Sequence, residues 1–312
     1  MEETVTLAGT AAAMPRVGLG VYQLRGEDCA RACLAALEAG YRHIDTAQLY
    51  GNEADVGRAL QEWLGRTGAG RGEHFLTTKI GRCEGSAEKT YRSALRSVQR
   101  VAGEGGYVDL FLVHRPVERR REIWAALERL VDEGRVRAVG VSNFRAGELE
   151  EMRAYARVWP PSVNQIEVHP WCQQRELVGH CQRSGIVVQA YSPLARGRRM
   201  ADPVLRSVVE RVRRRVRRRH RDAGGPTDGA GRAGGPRGAE EAGEEVKAVT
   251  AAQVLVRWSL QKGLVPLPKS SSAARIKENA DVFWFELDGD EMGMLDGLDM
   301  GAEGALFPAN VS

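Results

Sequence analysis

Short apolar runs alternate with longer amphipathic segments eight times along the chain, and this alternation constrains the fold more than any other feature. Runs rich in β-branched residues that are separated by helical patterns indicate a parallel sheet. Eight strand-then-helix units within 312 residues predict one closed (β/α)8 barrel, the TIM-barrel class of α/β fold. The apolar runs lie at residues 17–22, 43–47, 75–79, 108–114, 136–141, 163–168, 186–191 and 264–267.

An open, doubly wound sheet is the alternative arrangement of the same units. Sheets of that kind commonly bind a dinucleotide through a GxGxxG turn after the first strand. Here Gly18 and Gly20 begin such a turn, and no third glycine completes it. The sequence therefore favours the closed barrel.

Two elements are expected outside the eight units. Residues 4–7 and 14–17 resemble a small N-terminal β-hairpin that precedes the first barrel strand. An extra C-terminal helix is predicted over 287–298, with Asp288 as its N-cap, because a short acidic side chain can accept from the free N–H groups of the first turn.

One segment does not follow the barrel pattern. Residues 196–221 hold twelve arginines against two acids, a local charge of +10, so the rest of the chain carries −6 although the net charge is +4. Residues 222–245 are rich in glycine and acids and nearly free of apolar side chains, so they bury too little surface to offset the entropy of ordering. We predict a disordered insertion over 212–247 inside a single domain that spans 1–312.

The overall composition, 43% hydrophobic and 28% charged, is typical of a globular protein. No stretch approaches the roughly 18 unbroken apolar residues of a membrane span, and the first ten residues lack the basic region of a secretory signal. Five scattered cysteines without a CxxC pair or zinc-ligand spacing favour reduced thiols and no metal. We therefore expect a cytoplasmic protein without a membrane partner.

Polar residues end five consecutive predicted strands. In a barrel of this class, the carboxyl ends of the strands face the active site. A single polar residue at a strand end is weak evidence, whereas five strands in succession predict a functional site. The strings are HIDTA (43–47) followed by YGNE (50–53), TTK (77–79), His114, SNF (142–144) and NQIEVHP (164–170).

In these strings and several others, the chain resembles the aldo-keto reductase family. The likeness runs in family order from residue 14 to about 298, and only 212–247 interrupts it. It implies the same (β/α)8 fold and the reduction of an aldehyde or ketone, a small-molecule substrate, to an alcohol. The further strings are MPRVGLG (14–20), GYRHIDTA (40–47), VDLFLVH (108–114), GVSNF (140–144), AYSPL (190–194), PKS (268–270) and RIKEN (275–279).

The resemblance implies a catalytic tetrad of Asp45, Tyr50, Lys79 and His114. Tyr50 would donate a proton to the carbonyl oxygen, and a nearby ammonium on Lys79 would make release of that proton easier. Asp45 would hold the charge and position of Lys79. His114 would donate a hydrogen bond to the substrate oxygen, where negative charge develops.

The resemblance also implies that NADPH is the cofactor. Tyr191 would stack on the nicotinamide, and Ser192 and Leu194 would lie along the pyrophosphate. Two cations with a hydroxyl suit a 2′-phosphate, which favours NADPH over NADH. The remaining residues implied are Gly20 and Tyr22, then Ser142, Asn143 and Gln165 at the carboxamide, Lys269, Ser270 and Arg275 at the 2′-phosphate, and Glu278 and Asn279 at the adenine.

The chain departs from the family at three positions that often carry tryptophan. Tyr22, Gly81 and Arg115 occupy them, and the loop after the fourth strand is short, so we expect a wider and more polar substrate pocket. Arg115 either attracts a carboxylate or other anion, or points to solvent. The residues expected to contact substrate are Tyr22, Leu49, His114 and Arg115.

Two further hypotheses concern partners. A regulatory barrel protein that binds the cofactor without significant turnover is the alternative to a reductase, although all four tetrad residues are present. The arginine-rich segment could act as a nucleic-acid arm, but it has no interleaved aromatic residues for base stacking, so no nucleic-acid partner is expected. We expect a monomer.

Overall fold

A computed structural model describes residues 3–10, 12–223 and 247–311 of the chain. The strands are β1 Thr4–Thr6, β2 Ala13–Pro15, β3 Leu19–Gly20, β4 His43–Asp45, β5 Phe75–Ile80, β6 Val108–Val113, β7 Val136–Ser142, β8 Val163–Glu167, β9 Val187–Tyr191 and β10 Val265–Leu267. The α-helices are α1 Gly26–Glu38, α2 Glu53–Thr67, α3 Ala87–Ala102, α4 Arg120–Asp132, α5 Ala146–Met152, α6 Arg175–Arg183, α7 Pro203–Ala223, α8 Ala251–Gln261, α9 Ala273–Ala280 and α10 Gly289–Asp296.

Strands β3 to β10 form one parallel sheet in which each strand pairs with the next along the chain. The first and last strands are also joined. Gly18 N donates to Pro266 O at 3.1 Å, and Gly20 N donates to Pro268 O at 3.1 Å. The predicted (β/α)8 barrel is therefore confirmed, and the open doubly wound sheet is excluded.

The predicted N-terminal hairpin is confirmed as an antiparallel pair, β1 with β2. Leu7 and Met14 are fully buried in a cluster that contains Phe75, Val163 and Val265, each the first residue of its barrel strand. The hairpin therefore covers the amino-terminal end of the barrel. The opposite end, where the strands finish, is left for polar side chains.

The extra C-terminal helix is confirmed as α10, and Asp288 is its N-cap. The Asp288 carboxylate accepts from Glu291 N at 2.8 Å, and Glu291 Oε2 accepts from Asp288 N at 2.9 Å. This reciprocal capping box satisfies donors that the first turn of a helix leaves free.

Helix α7 corrects the predicted boundary of the disordered insertion. The helix continues through residues 212–223, so the prediction of disorder from residue 212 is wrong, while 224–246 lie outside the described residues. Val208 and Val212 are fully buried against the barrel. Arg215 Nη2 pairs with Glu291 Oε2 at 2.6 Å, which offsets repulsion along the helix. The valines recur at helical intervals, and their burial on one face of α7 outweighs the repulsion between its arginines.

Among the described helices, none has the length and apolarity needed to cross a lipid bilayer.

The contact between α2 and α3 depends on Gly57. A Cβ at this position would lie 2.1 Å from Arg100 O, whereas one at Gly65, in the same helix, would meet no atom within 4 Å. We expect Gly57→Ala to lower the free energy of unfolding by about 1–3 kcal/mol through overpacking. Gly65→Ala should raise it by up to about 1 kcal/mol through helix propensity.

Urea unfolding of both variants beside the wild type checks this prediction. If the two substitutions changed the free energy of unfolding equally, α2 and α3 could move apart at no cost, and the prediction would be contradicted.

Candidate active site

One cavity of about 1340 Å³ opens at the carboxyl ends of the barrel strands. All eight barrel strands, or the loops that follow them, contribute residues to its lining. Every residue predicted from the sequence to act in the site lines this cavity, except Lys79, which is fully buried beneath it. The predicted residues on its wall are Gly20, Tyr22, Asp45, Leu49, Tyr50, His114, Arg115, Ser142, Asn143, Gln165, Tyr191, Ser192, Leu194, Lys269, Ser270, Arg275, Glu278 and Asn279.

The floor of the cavity is a buried ion pair between Asp45 and Lys79. Lys79 Nζ donates to Asp45 Oδ1 at 2.5 Å, to Thr46 O at 2.9 Å and to Tyr50 Oη at 3.3 Å. The second carboxylate oxygen, Asp45 Oδ2, accepts from Gln165 Nε2 at 2.8 Å. All three ammonium protons and both carboxylate oxygens are therefore used, which a buried ion pair requires to be tolerated.

Burial and pairing act in opposite directions on these two charges. Burial raises the pKa of Asp45, and the charge and hydrogen bond of Lys79 oppose that shift. Burial lowers the pKa of Lys79, and Asp45 opposes it in the same way. In each case the partner favours the charged form and burial disfavours it.

Tyr50 lies directly over this pair. Its ring is 4.9 Å from Lys79 Nζ and 5.0 Å from the ring of Tyr22. Burial raises the pKa of the Tyr50 phenol well above its ordinary value, and the Asp45 carboxylate and Tyr22 act in the same direction. Burial and the Asp45 carboxylate thus determine the direction of this shift, while the expectation that Lys79 eases proton release stays a prediction. Tyr50 holds its proton at neutral pH.

His114 packs edge-on against Tyr50, with ring centroids 5.7 Å apart. Burial lowers the pKa of His114 to about 3, and the positive charges of Lys79 and Arg115 add to that effect. Within the described part of the chain, His114 Nδ1 is buried without a hydrogen-bond partner. The imidazole is thus neutral and carries one N–H that can serve a ligand.

A row of polar side chains runs from the ends of β7 and β8 to the end of β9. Ser142 Oγ donates to Gln165 O at 2.7 Å, and Asn143 Nδ2 donates to Ser142 Oγ at 3.0 Å and to His114 O at 3.1 Å. Tyr191 Oη donates to Asn143 Oδ1 at 3.0 Å. The row fixes the orientation of these side chains beside the tetrad.

The far end of the cavity is basic. Burial lowers the pKa of Lys269, and the neighbouring charges of Arg196 and Arg275 lower it further, so three cations converge there. Neither Lys269 nor Arg275 has a carboxylate partner among the described residues. Ser270 lies beside them on the cavity wall. Two cations without a carboxylate partner, together with a hydroxyl, are groups that could hold a phosphate.

Among the cavity residues that sequence reasoning missed, four make polar or aromatic contacts there: Gln23, Arg196, Phe307 and Asn310. Arg196 Nη2 donates to Gln23 Oε1 at 2.7 Å, which joins the loops after β9 and β3. Asn310 Nδ2 donates to Tyr191 Oη at 3.0 Å, and the ring of Phe307 stands edge-on to Tyr191 at 5.9 Å.

The last two of these lie on the C-terminal segment, which a buried carboxylate holds in place. Glu167 accepts from Leu306 N at 2.6 Å and from Phe307 N at 3.0 Å. The one signal in the sequence was Glu167 itself, an acid inside an apolar strand. Nothing local indicated its partners.

Comparison with known proteins agrees with this fold. The model of the Aldo/keto reductase family matches residues 16–300. An uncharacterised oxidoreductase of Bacillus subtilis is 37% identical over 288 residues, 92% of this chain and 89% of that protein. A glyoxal reductase of the same organism is 35% identical over the same shares.

Solved structures agree. An aldo/keto reductase from Brucella melitensis aligns with a TM-score of 0.78 and 35% identity, covering 96% of this chain and 100% of that one. A Bombyx mori aldo-keto reductase in complex with NADP aligns with a TM-score of 0.77 and 28% identity, over 96% and 93% of the two chains. The chain belongs to the aldo/keto reductase family, as the sequence resemblance implied. It is an oxidoreductase of that family, whose members use a nicotinamide cofactor.

The pKa of His114 makes stability depend on pH. An unfolded histidine binds a proton near pH 6.5, and folded His114 does so only near 3. The contribution of the neutral imidazole is therefore complete above about pH 6.5 and is lost as the pH falls toward 3. We expect His114→Gln to reduce the slope of unfolding free energy against pH by about 1.4 kcal/mol per unit between about pH 5.5 and 4.

Urea unfolding at several pH values measures that slope. His220→Gln is the matched control, because its exposed imidazole lies in water in both states, and its slope should equal that of the wild type. An unchanged slope in His114→Gln would mean that the folded imidazole accepts a proton at ordinary pH.

Proposed function

We propose that this protein reduces an aldehyde or ketone to an alcohol, with NADPH as the hydride donor and Tyr50 as the proton donor. The observation that carries the proposal is the placement of the Tyr50 hydroxyl over a fully buried Asp45–Lys79 pair, 3.3 Å from Lys79 Nζ. A protonated phenol, an ammonium and a neutral imidazole at one end of a large cavity suit proton delivery to an oxygen. They do not suit attack by a nucleophile.

Proton transfer follows from the charges at this point. The Tyr50 O–H donates to the carbonyl oxygen, and its proton moves there as the carbon is reduced, since an alkoxide is a stronger base than a phenolate. The phenolate left on Tyr50 then accepts a hydrogen bond from Lys79 Nζ, which stabilises the new negative charge. Asp45 keeps Lys79 in place, and solvent returns the proton to Tyr50.

His114 has a separate role in this scheme. Because its imidazole is neutral, it donates a hydrogen bond to the substrate oxygen without adding a full charge. That bond orients the carbonyl toward Tyr50 and stabilises charge that develops on the oxygen. Asn143 supports the segment that carries His114 by donating to its backbone carbonyl.

The cavity fits NADPH along its whole length. The polar row at the ends of β7, β8 and β9 offers amide and hydroxyl groups to a nicotinamide carboxamide, and Tyr191 offers a ring face. The basic end offers Lys269, Ser270 and Arg275 to a 2′-phosphate. NADPH supplies the hydride when it is bound. The further residues that would hold it are Gly20, Tyr22, Ser142, Asn143, Gln165, Ser192, Leu194, Glu278 and Asn279.

Two relatives support the proposal. The Bombyx mori structure contains NADP, and one curated relative is named as a glyoxal reductase. A barrel that binds the cofactor without turnover would need no buried charge pair under a phenol. Lys79 and Asp45 therefore favour the reductase.

The proton-donor role gives a direct test. Tyr50→Phe removes only the hydroxyl, so we expect NADPH oxidation with aldehydes to fall by about 10²–10⁴-fold, the usual contribution of a positioned acid. Binding of NADPH, followed by the change in its fluorescence, should persist because the ring remains. Tyr155→Phe, on a tyrosine outside the cavity, should keep full activity.

Activity retained in Tyr50→Phe would overturn the assignment of the acid. A wild type that binds NADPH and turns over no carbonyl would instead favour the regulatory barrel protein.

The choice of NADPH over NADH rests on the basic end of the cavity. Arg275→Met removes one cation from the proposed phosphate site, so we expect its Kd for NADPH to rise about tenfold or more while its Kd for NADH changes little. Lys277→Met, on the exposed side of the same helix α9, is the matched control. Fluorescence titration with both cofactors measures the four constants. Equal losses for NADPH and NADH in Arg275→Met would contradict a 2′-phosphate site.

A further inference from the structure

The substrate end of the cavity carries a charge that catalysis does not use. Around Tyr50 the wall is formed by Tyr22 and Leu49, which are 41% and 73% exposed, and by residues that follow β5 and β6. Among the latter are two arginines, Arg82 and Arg115. A pocket made for apolar carbonyl compounds alone would gain nothing from cations at its mouth.

Arg82 and Arg115 differ in their partners. Arg82 Nε pairs with Glu84 Oε1 at 3.1 Å, so its charge is balanced inside the protein. Arg115 makes no side-chain hydrogen bond or ion pair with any residue in the described ranges. The contrast with its neighbours is sharp, because Arg119, Arg120 and Arg121 all pair with a glutamate of α4 or α5. Arg115 alone of these lines the cavity.

The other charges near the reacting oxygen cancel. Lys79 is neutralised by Asp45 at 2.5 Å, and His114 is neutral. The uncompensated positive charge at this end of the cavity is therefore that of Arg115. Arg115 lines the same cavity as His114, and its charge acts on that imidazole, so it lies near the group that would hold the carbonyl oxygen.

The wall next to His114 leaves room for a charged group. Gly81 lies next to His114 in this wall. A Cβ added to Gly81 would meet only the Cβ of His114, at 3.9 Å. No bulky side chain from β5 thus covers the space between Arg115 and the tetrad. A guanidinium presents planar paired donors that match a carboxylate.

We infer that the preferred substrates are oxo acids, carbonyl compounds that carry a carboxylate a few atoms from the carbonyl group, and that Arg115 binds this carboxylate. The inference rests on the proposed reductase function and adds the substrate class. Arg115 holds the carboxylate at the cavity mouth while the carbonyl oxygen reaches Tyr50 and His114. The reaction that supplies such a substrate must leave an aldehyde or ketone on an acid, and the product is a hydroxy acid.

A matched pair of substrates tests the inference. 4-Oxobutanoate and its methyl ester have the same aldehyde and differ in one negative charge. We expect wild-type kcat/KM to favour the acid by about tenfold, equivalent to about 1.4 kcal/mol. The preference should fall as salt is raised, because the pair is partly exposed to solvent. The same comparison with 4-carboxybenzaldehyde and its methyl ester extends the test to a longer spacing.

Three variants test whether Arg115 is the residue that binds the carboxylate. Arg115→Met should abolish the preference by raising KM for the acid, so that the ratio of kcat/KM for the acid to kcat/KM for the ester approaches one. Arg115→Lys should keep part of the preference. Arg121→Met removes an arginine outside the cavity and should leave the ratio unchanged.

Two results would overturn the inference: no preference for the acid in the wild type, or a preference that survives in Arg115→Met. Turnover of the methyl ester shows whether the protein is a reductase at all, so it distinguishes these two results from a failure of the proposed function. If the wild type reduces neither the acids nor the esters, the reductase itself is wrong. If it reduces the esters and shows no preference for the acids, the proposed reductase function stands and only the inferred substrate class is wrong.

Discussion

The buried ion pair of Asp45 and Lys79 is the interaction on which the rest of the site depends. In the β4–β5 ladder Asp45 lies opposite Thr77, and Lys79 is two residues further along β5, on the same inner face of the barrel. Burying two such charges costs several kcal/mol per ion, and an apolar pair of similar volume is often as stable or more so. The charges therefore make sense only through what they do to Tyr50. Lys79 lies beneath the Tyr50 phenol, and the phenol nevertheless keeps its proton at neutral pH.

The pair also joins the two halves of the cavity. Gln165 connects Asp45 to Gln189 on the next strand, and its backbone carbonyl accepts from Ser142, the start of the row that ends at Tyr191. One set of hydrogen bonds therefore fixes both the proton-donating end and the surface offered to a nicotinamide. In the proposed reaction, hydride and proton reach adjacent atoms of one carbonyl group, so the two halves have to be rigid relative to each other. Their common anchor in the barrel floor meets that requirement.

The repeat of strand and helix predicted the barrel and the polar residues at its strand ends, whereas the resemblance to the aldo-keto reductases implied residues outside the strands, such as Tyr50 and Arg275. The sequence did not predict the direction of the Tyr50 pKa shift, because burial raises this pKa and the Asp45 carboxylate raises it further. It placed the insertion boundary wrongly because the partner of Arg215, Glu291, lies 76 positions away along the chain. Contacts such as Arg196 with Gln23, 173 positions apart, leave no local pattern.

The residues proposed for proton transfer and those proposed for substrate selection differ in how the fold holds them. In the proposed mechanism, Asp45 and Lys79 are buried, paired with each other and fixed by strand register, and Lys79 also bonds to Tyr50. The groups proposed to contact the rest of the substrate are exposed and belong to loops or strand ends; they are Tyr22, Leu49 and Arg115. Arg115 can differ from its counterparts in the family without altering the floor of the cavity, since neither Asp45 nor Lys79 bonds to it. A barrel built this way can change the compound it reduces while its way of delivering a proton stays the same.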